Sequence, residues 1–120
     1  MNVVFIGFMG TGKSTLGKLI AAALSYEFVD TDRLIEEREG RSVAAIFAAD
    51  GEARFRKIEA EVARELSRGD RMVIAGGGGF PINPDNIELL RKNGLIITLT
   101  ALPPVILERV GRDQTRPLLH

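Results

Sequence analysis

Gly7-Phe8-Met9-Gly10-Thr11-Gly12-Lys13-Ser14 satisfies the pattern G-x-x-x-x-G-K-[ST] at every fixed position. A plain strand-to-helix turn needs one glycine, whereas here three are spaced ahead of Lys13-Ser14. Glycines let successive main-chain N–H groups point inward at one anion, and the helix that follows adds about half a positive charge at its N-terminus. Lys13 would reach the β and γ phosphates of a nucleoside triphosphate such as ATP, and the Ser14 hydroxyl would sit on Mg2+. Gly10, Thr11, Gly12, Lys13, Ser14 and Thr15 are therefore the candidate nucleotide-binding residues. GTPases, ATPases, transport engines and small-molecule kinases share such a loop. At 120 residues the chain is short for a motor domain, which favours a small kinase.

The second substrate must be read elsewhere. In open α/β sheets ligands lie beyond the carboxyl ends of the strands, so polar residues just after each strand face them. Asp30 and Asp32 follow one predicted strand. One carboxylate could hold a magnesium-bound water and the other an acceptor hydroxyl, although Asp32 is also placed to cap a helix over 33–39. Gly76 to Gly79 follow another strand and let backbone approach a ligand. Val73-Ile74-Ala75 offers the metal no carboxylate, so Asp30 would have to substitute. Arg54 and Arg56 both fall at the border of an apolar helical stripe, and periodicity does not choose between them. Glu59, Glu61, Arg64 and Glu65 read as exposed i,i+4 partners. Arg116, in a polar stretch, could stabilise charge on a transferred group. His120 has no partner and is read as solvated.

These residues need elements to hold them. Val3 to Ile6 is a short apolar run that reads as a strand buried on both faces, and Lys13 to Ser25 carries apolar residues at helical spacing. Further strands are predicted at 27–30, 72–75 and 95–99. Helices are predicted at 33–39, 43–49 with Ser42 as cap, 52–67, 85–92 and 104–110, with a turn at 81–84 and a mobile loop at 111–120. Alternating strands and helices imply one α/β domain with a parallel sheet and right-handed crossovers. Sixteen basic and sixteen acidic side chains cancel, so the whole-chain field gives no reason to expect nucleic acid or an anionic membrane. No cysteine and one histidine exclude thiol nucleophiles, thiolate zinc and serine–histidine hydrolysis. Without a signal-like start or a membrane-length apolar run, the reading is a soluble cytoplasmic domain.

Gly7 to Ser14, Asp30-Thr31-Asp32, Phe55-Arg56, Gly76-Gly77-Gly78 and Arg116-Pro117-Leu118-Leu119, in this order and spacing, resemble shikimate kinase. The phosphate loop is generic, whereas the other four segments together are close to diagnostic. The resemblance implies a P-loop three-layer fold with helices on both faces of a parallel sheet of order 2-3-1-4-5. It implies transfer of the ATP γ-phosphoryl group to the 3-hydroxyl of shikimate in aromatic amino-acid biosynthesis, by a monomer. Lys13 then resembles the phosphate-binding lysine, Ser14 the magnesium ligand and Asp30 the acid behind the metal. Asp32 resembles the hydroxyl-binding and basic residue, Arg56 the carboxylate clamp, Gly77 and Gly78 backbone contacts to shikimate, and Arg116 a lid arginine. An arginine fork for a carboxylate and an acid for hydroxyls suit a polyol acid. The family continues past the lid with a further strand and helix, so the expectation is a single domain over 1–120, truncated at its C-terminus, with a lid beginning near 111. Alternatives are a truncated nucleotide-binding module and a gluconate or nucleotide kinase.

Overall fold

Successive side chains on a strand point to opposite faces, and the central strands divide their apolar residues accordingly. A computed structural model describes residues 1–7 and 11–99, apart from the Thr11 side chain. The helix expected at 104–110 and the loop at 111–120 lie outside the described residues. In β1 (Asn2–Gly7), Val4 and Ile6 enter one core while Phe5 enters the other. In β3 (Met72–Ala75), Met72 and Ile74 join the first core and Val73 the second. With β2 (Glu27–Asp30) and β4 (Gly94–Leu99) these strands form a parallel sheet of order β2-β3-β1-β4. That is the expected order as far as the described strands run.

One face is covered by α1 (Thr11–Leu24), whose Leu16, Ile20 and Ala21 pack with Phe5, Val73 and Phe28. The other is covered chiefly by α4 (Glu52–Ser67). Its Phe55, Ile58, Val62, Ala63 and Leu66 are buried against Val4, Ile6 and Ile74, each large aliphatic or aromatic side chain contributing about 1.5–3 kcal/mol. α2 (Thr31–Glu39), α3 (Val43–Asp50) and α5 (Pro84–Arg91) complete this layer through Ile35, Ile46 and Leu90. No helix among the described residues is long and apolar enough to cross a membrane.

Caps set the ends. The Ser42 hydroxyl accepts from the Ala45 amide 3.1 Å away, as expected, and Gly40 stops α2 with φ at 66°. Two expectations need correction. Asp32 does not cap α2: the helix begins at Thr31, directly after the strand, so Asp30 is the cap and accepts from the Arg33 amide at 3.2 Å. The segment 81–84 is not a plain turn either. Phe80–Ile82 winds a short 3-10 helix, and Asn83 then caps α5 with Pro84 in its first turn.

Candidate active site

β1 ends at Gly7, whose φ of 99° suits glycine. A Cβ there would overlap the Leu99 carbonyl of β4, so the chain can leave the sheet only without a side chain. Phe8 to Gly10 lie outside the described residues, as does the Thr11 side chain. Gly12, Lys13, Ser14 and Thr15 lie at the start of α1, directly after that exit from the sheet, and Lys13 and Ser14 line a cavity there.

Lys13 is 4% exposed and its Nζ donates to the Gly7 carbonyl at 3.2 Å. Burial lowers its pKa, while the Asp32 and Asp30 carboxylates pull the other way. The Ser14 hydroxyl donates to Asp30 Oδ2 at 3.1 Å. One Asp30 oxygen therefore caps α2 while the other holds the serine. A hydroxyl backed by a carboxylate is a hard-oxygen pair, the donor set magnesium takes from a protein when phosphate and water supply the remainder. Ser14 and Asp30 could hold that ion.

Asp32 stands in the first turn of α2. Burial raises its pKa, helped by the neighbouring Asp30 charge and opposed by Lys13 and Arg56. A cavity of about 230 Å³ is lined by Lys13, Ser14, Asp30, Asp32, Ala75, Gly76, Gly77 and Gly78. Phosphate-loop lysine, serine and both acids thus face one space with the glycine turn. The turn comes close to both site side chains: a Cβ at Gly77 would overlap the Asp32 carboxylate, and one at Gly79 the Arg56 guanidinium.

Arg56 is not among the residues lining that cavity. Its guanidinium lies against Gly79 and over the Phe47 and Phe55 rings, 5.7 and 5.3 Å from their centroids. Nη1 donates to Glu59 Oε1 at 2.7 Å and Nε to Glu52 Oε2 at 3.3 Å. The structure thereby separates the two candidate arginines, because Arg54 is exposed. Arg116 lies outside the described residues.

The reading of Glu59 as an exposed partner is wrong: it is 1% exposed, and among the described residues its Oε2 is buried without a hydrogen bond. Burial raises its pKa, and the Arg56 contact only partly offsets this. The signal was present in the spacing. Glu59 stands four residues after Phe55 and three before Val62, inside the apolar stripe, where a carboxylate persists only with a partner. Glu65 instead reaches across to Arg38 in α2, with contacts of 2.7 and 2.5 Å. Thr31, also unread in the sequence, is fully buried and accepts from the Gly77 amide at 2.9 Å.

The family model for shikimate kinase matches residues 9–120. A shikimate kinase of Pelotomaculum thermopropionicum is 51% identical over 118 residues, an alignment spanning 98% of this chain and 69% of that protein. One of Caldanaerobacter subterraneus is 52% identical over the same shares. Among solved structures, shikimate kinase from Acinetobacter baumannii in complex with shikimate superposes with a TM-score of 0.80 at 38% identity, covering 99% of this chain and 66% of that one. The Aquifex aeolicus enzyme gives 0.79 at 39% identity, covering 99% and 71%. The chain thus spans about two thirds of the length of each of these proteins.

Proposed function

The chain belongs to the shikimate kinase family, and from that membership we propose that it transfers the γ-phosphoryl group of ATP to the 3-hydroxyl of shikimate, a step in aromatic amino-acid biosynthesis. The products are shikimate 3-phosphate and ADP, and the setting is the cytoplasm. The partners are small molecules, acting on a monomer, with neither nucleic acid nor membrane involved. One observation carries this reading: Lys13 and Ser14 from the phosphate loop and Asp32 from the next helix line the same cavity as Gly76 to Gly78, with Arg56 against Gly79, the next residue along.

In the proposed reaction the shikimate hydroxyl oxygen forms a new bond to the γ phosphorus as the bond to the bridging oxygen breaks, leaving ADP. The hydroxyl proton passes to an Asp32 carboxylate oxygen, whose raised pKa suits it to receive one. The Lys13 ammonium and the loop amides take up charge on the phosphates, and Arg116 is proposed to join them. Ser14 and Asp30 would hold a magnesium ion, whose charge would offset that of the polyphosphate. Gly77 and Gly78 bring main chain to shikimate, while Arg56, steered by Glu59, forks its carboxylate.

A coupled ADP-release assay offering shikimate, gluconate and nucleoside monophosphates in parallel tests the assignment. Turnover of shikimate alone is expected. Turnover of another acceptor would move the chain to a different kinase, and stabilisation by ADP with no response to shikimate would make it a nucleotide-binding module.

A further inference from the structure

The glycine turn that walls the cavity is anchored from beneath by a residue the proposed reaction does not use. The Gly76 amide donates to the Phe5 carbonyl at 2.9 Å and the Phe80 amide to the Gly77 carbonyl at 3.0 Å, so both ends of the turn are tied to backbone. The Gly77 amide between them has no backbone acceptor among the described residues and donates to Thr31 Oγ1 at 2.9 Å. Thr31 is 0% exposed and sits between Asp30 and Asp32 in the first turn of α2. A threonine one residue from Asp32 therefore sets the height of the glycine turn over the Asp32 carboxylate, where a single added methyl would already overlap.

We propose that Thr31 is a positioning residue for the acceptor: its buried hydroxyl holds Gly77, and through Gly77 the turn that touches both Asp32 and Arg56. The inference rests on the kinase reading above. If the hydroxyl is removed, a buried N–H is left without an acceptor, and the turn relieves it by lifting toward solvent and away from the carboxylate. Binding of the acceptor then suffers, whereas Lys13 and Ser14, whose side-chain hydrogen bonds among the described residues go to Gly7 and Asp30 and not to Thr31, keep their grip on nucleotide. The Thr31 methyl fills space in either case, so the effect belongs to the oxygen.

Steady-state kinetics of Thr31→Val and Thr31→Ser on the full chain, with amide hydrogen exchange at Gly77 in the unaltered chain, test this. The valine variant keeps the shape and loses the acceptor. Its KM for shikimate is expected to rise roughly tenfold, the effect of losing about one buried hydrogen bond, with the KM for ATP within about twofold of wild type. The serine variant should restore the shikimate KM. Equal shikimate KM in wild type and Thr31→Val would overturn the inference. So would a parallel loss in kcat and in both KM values that tracked melting temperature, the mark of a merely structural residue. Should the valine variant not fold, hydrogen exchange decides: slow exchange at Gly77 supports the anchor, and exchange as fast as in an unstructured loop overturns it. Failure of the kinase reading itself is distinguishable, because wild type would then ignore shikimate while Gly77 stayed protected, and the proposed role for the acceptor would fall with it.

Discussion

Arg56 Nη1 lies 2.7 Å from Glu59 Oε1, one helical turn along α4, and the carboxylate that receives it is all but sealed from solvent. The pair keeps the guanidinium beside Gly79, at the end of the glycine turn whose Gly77 lies against the Asp32 carboxylate. Burying a carboxylate in an apolar stripe costs stability unless it is paired, so the sequence of α4 gives up some core packing to steer one arginine.

That steering predicts a division of effects. Glu59→Ala should destabilise the chain by about 1–3 kcal/mol in denaturant titrations, because it removes the buried partner of Arg56 and leaves it only the exposed Glu52. Glu59→Gln keeps an oxygen for Arg56 and should cost less, yet should still raise the KM for shikimate several-fold with the KM for ATP unchanged. An unchanged shikimate KM in both variants would remove Glu59 from the site.

Asp30 should show two separable functions. Asp30→Ala loses the cap of α2, worth about 1 kcal/mol, and also the oxygen that holds Ser14. Asp30→Ser preserves a capping oxygen and removes the charge. Melting temperature should therefore recover in the serine variant while the magnesium concentration needed for half-maximal rate stays elevated. Recovery of both would leave Asp30 with a capping function only.

How much of this was legible beforehand follows from what each residue must satisfy. The boundaries of β2, β3 and α4 are readable because apolar period and punctuation agree there, with Gly51 before α4 and Gly76 after β3. The cap of α2 was not, since the strand runs into the helix with no intervening loop and Asp30 serves as the end of one and the start of the other. Charge alone points Glu59 outward, whereas its place in the apolar stripe points it inward, and the stripe prevails. Thr31 has no partner in sequence terms; only the three-dimensional approach of Gly77 gives its hydroxyl one. Arg54 and Arg56 are equivalent by helical angle, and Gly79, Phe47 and Glu59 break the tie.

Space at the glycine turn can be tested by filling it. Gly79 has φ at −96°, so alanine meets no backbone obstacle there, and the nearest atoms to the added methyl would be the movable end of Arg56. Gly79→Ala should leave stability within about 1 kcal/mol of wild type. It should also raise the KM for shikimate, read in the same assay, by displacing the guanidinium. A wild-type KM would show that Arg56 does not need its observed position.

Asp32 predicts a pH signature with a definite sign. Its pKa is raised by folding, so between the ordinary carboxylate value and the raised one the folded chain holds more protons than the unfolded chain. Stability from this group is thus greatest at low pH and declines as pH rises through that window. Asp32→Asn removes the titration, so the stability of the variant relative to wild type should grow with pH above the ordinary range and then level off. Denaturant midpoints measured from about pH 4 to pH 8 follow it; a gap that stays flat or shrinks would contradict the burial of this carboxylate.

The proposed convergence of Asp32 and Arg56 on one acid beside the phosphate loop is tested most directly by calorimetric titration of shikimate into the ADP-bound full chain, alongside Asp32→Asn and Arg56→Met. Wild type should bind shikimate, and each variant should bind it at least tenfold more weakly with ADP affinity unchanged, as expected when a hydrogen bond to a charged group is lost. Shikimate affinities that are equal in all three proteins, or that fall only together with ADP affinity, would contradict it.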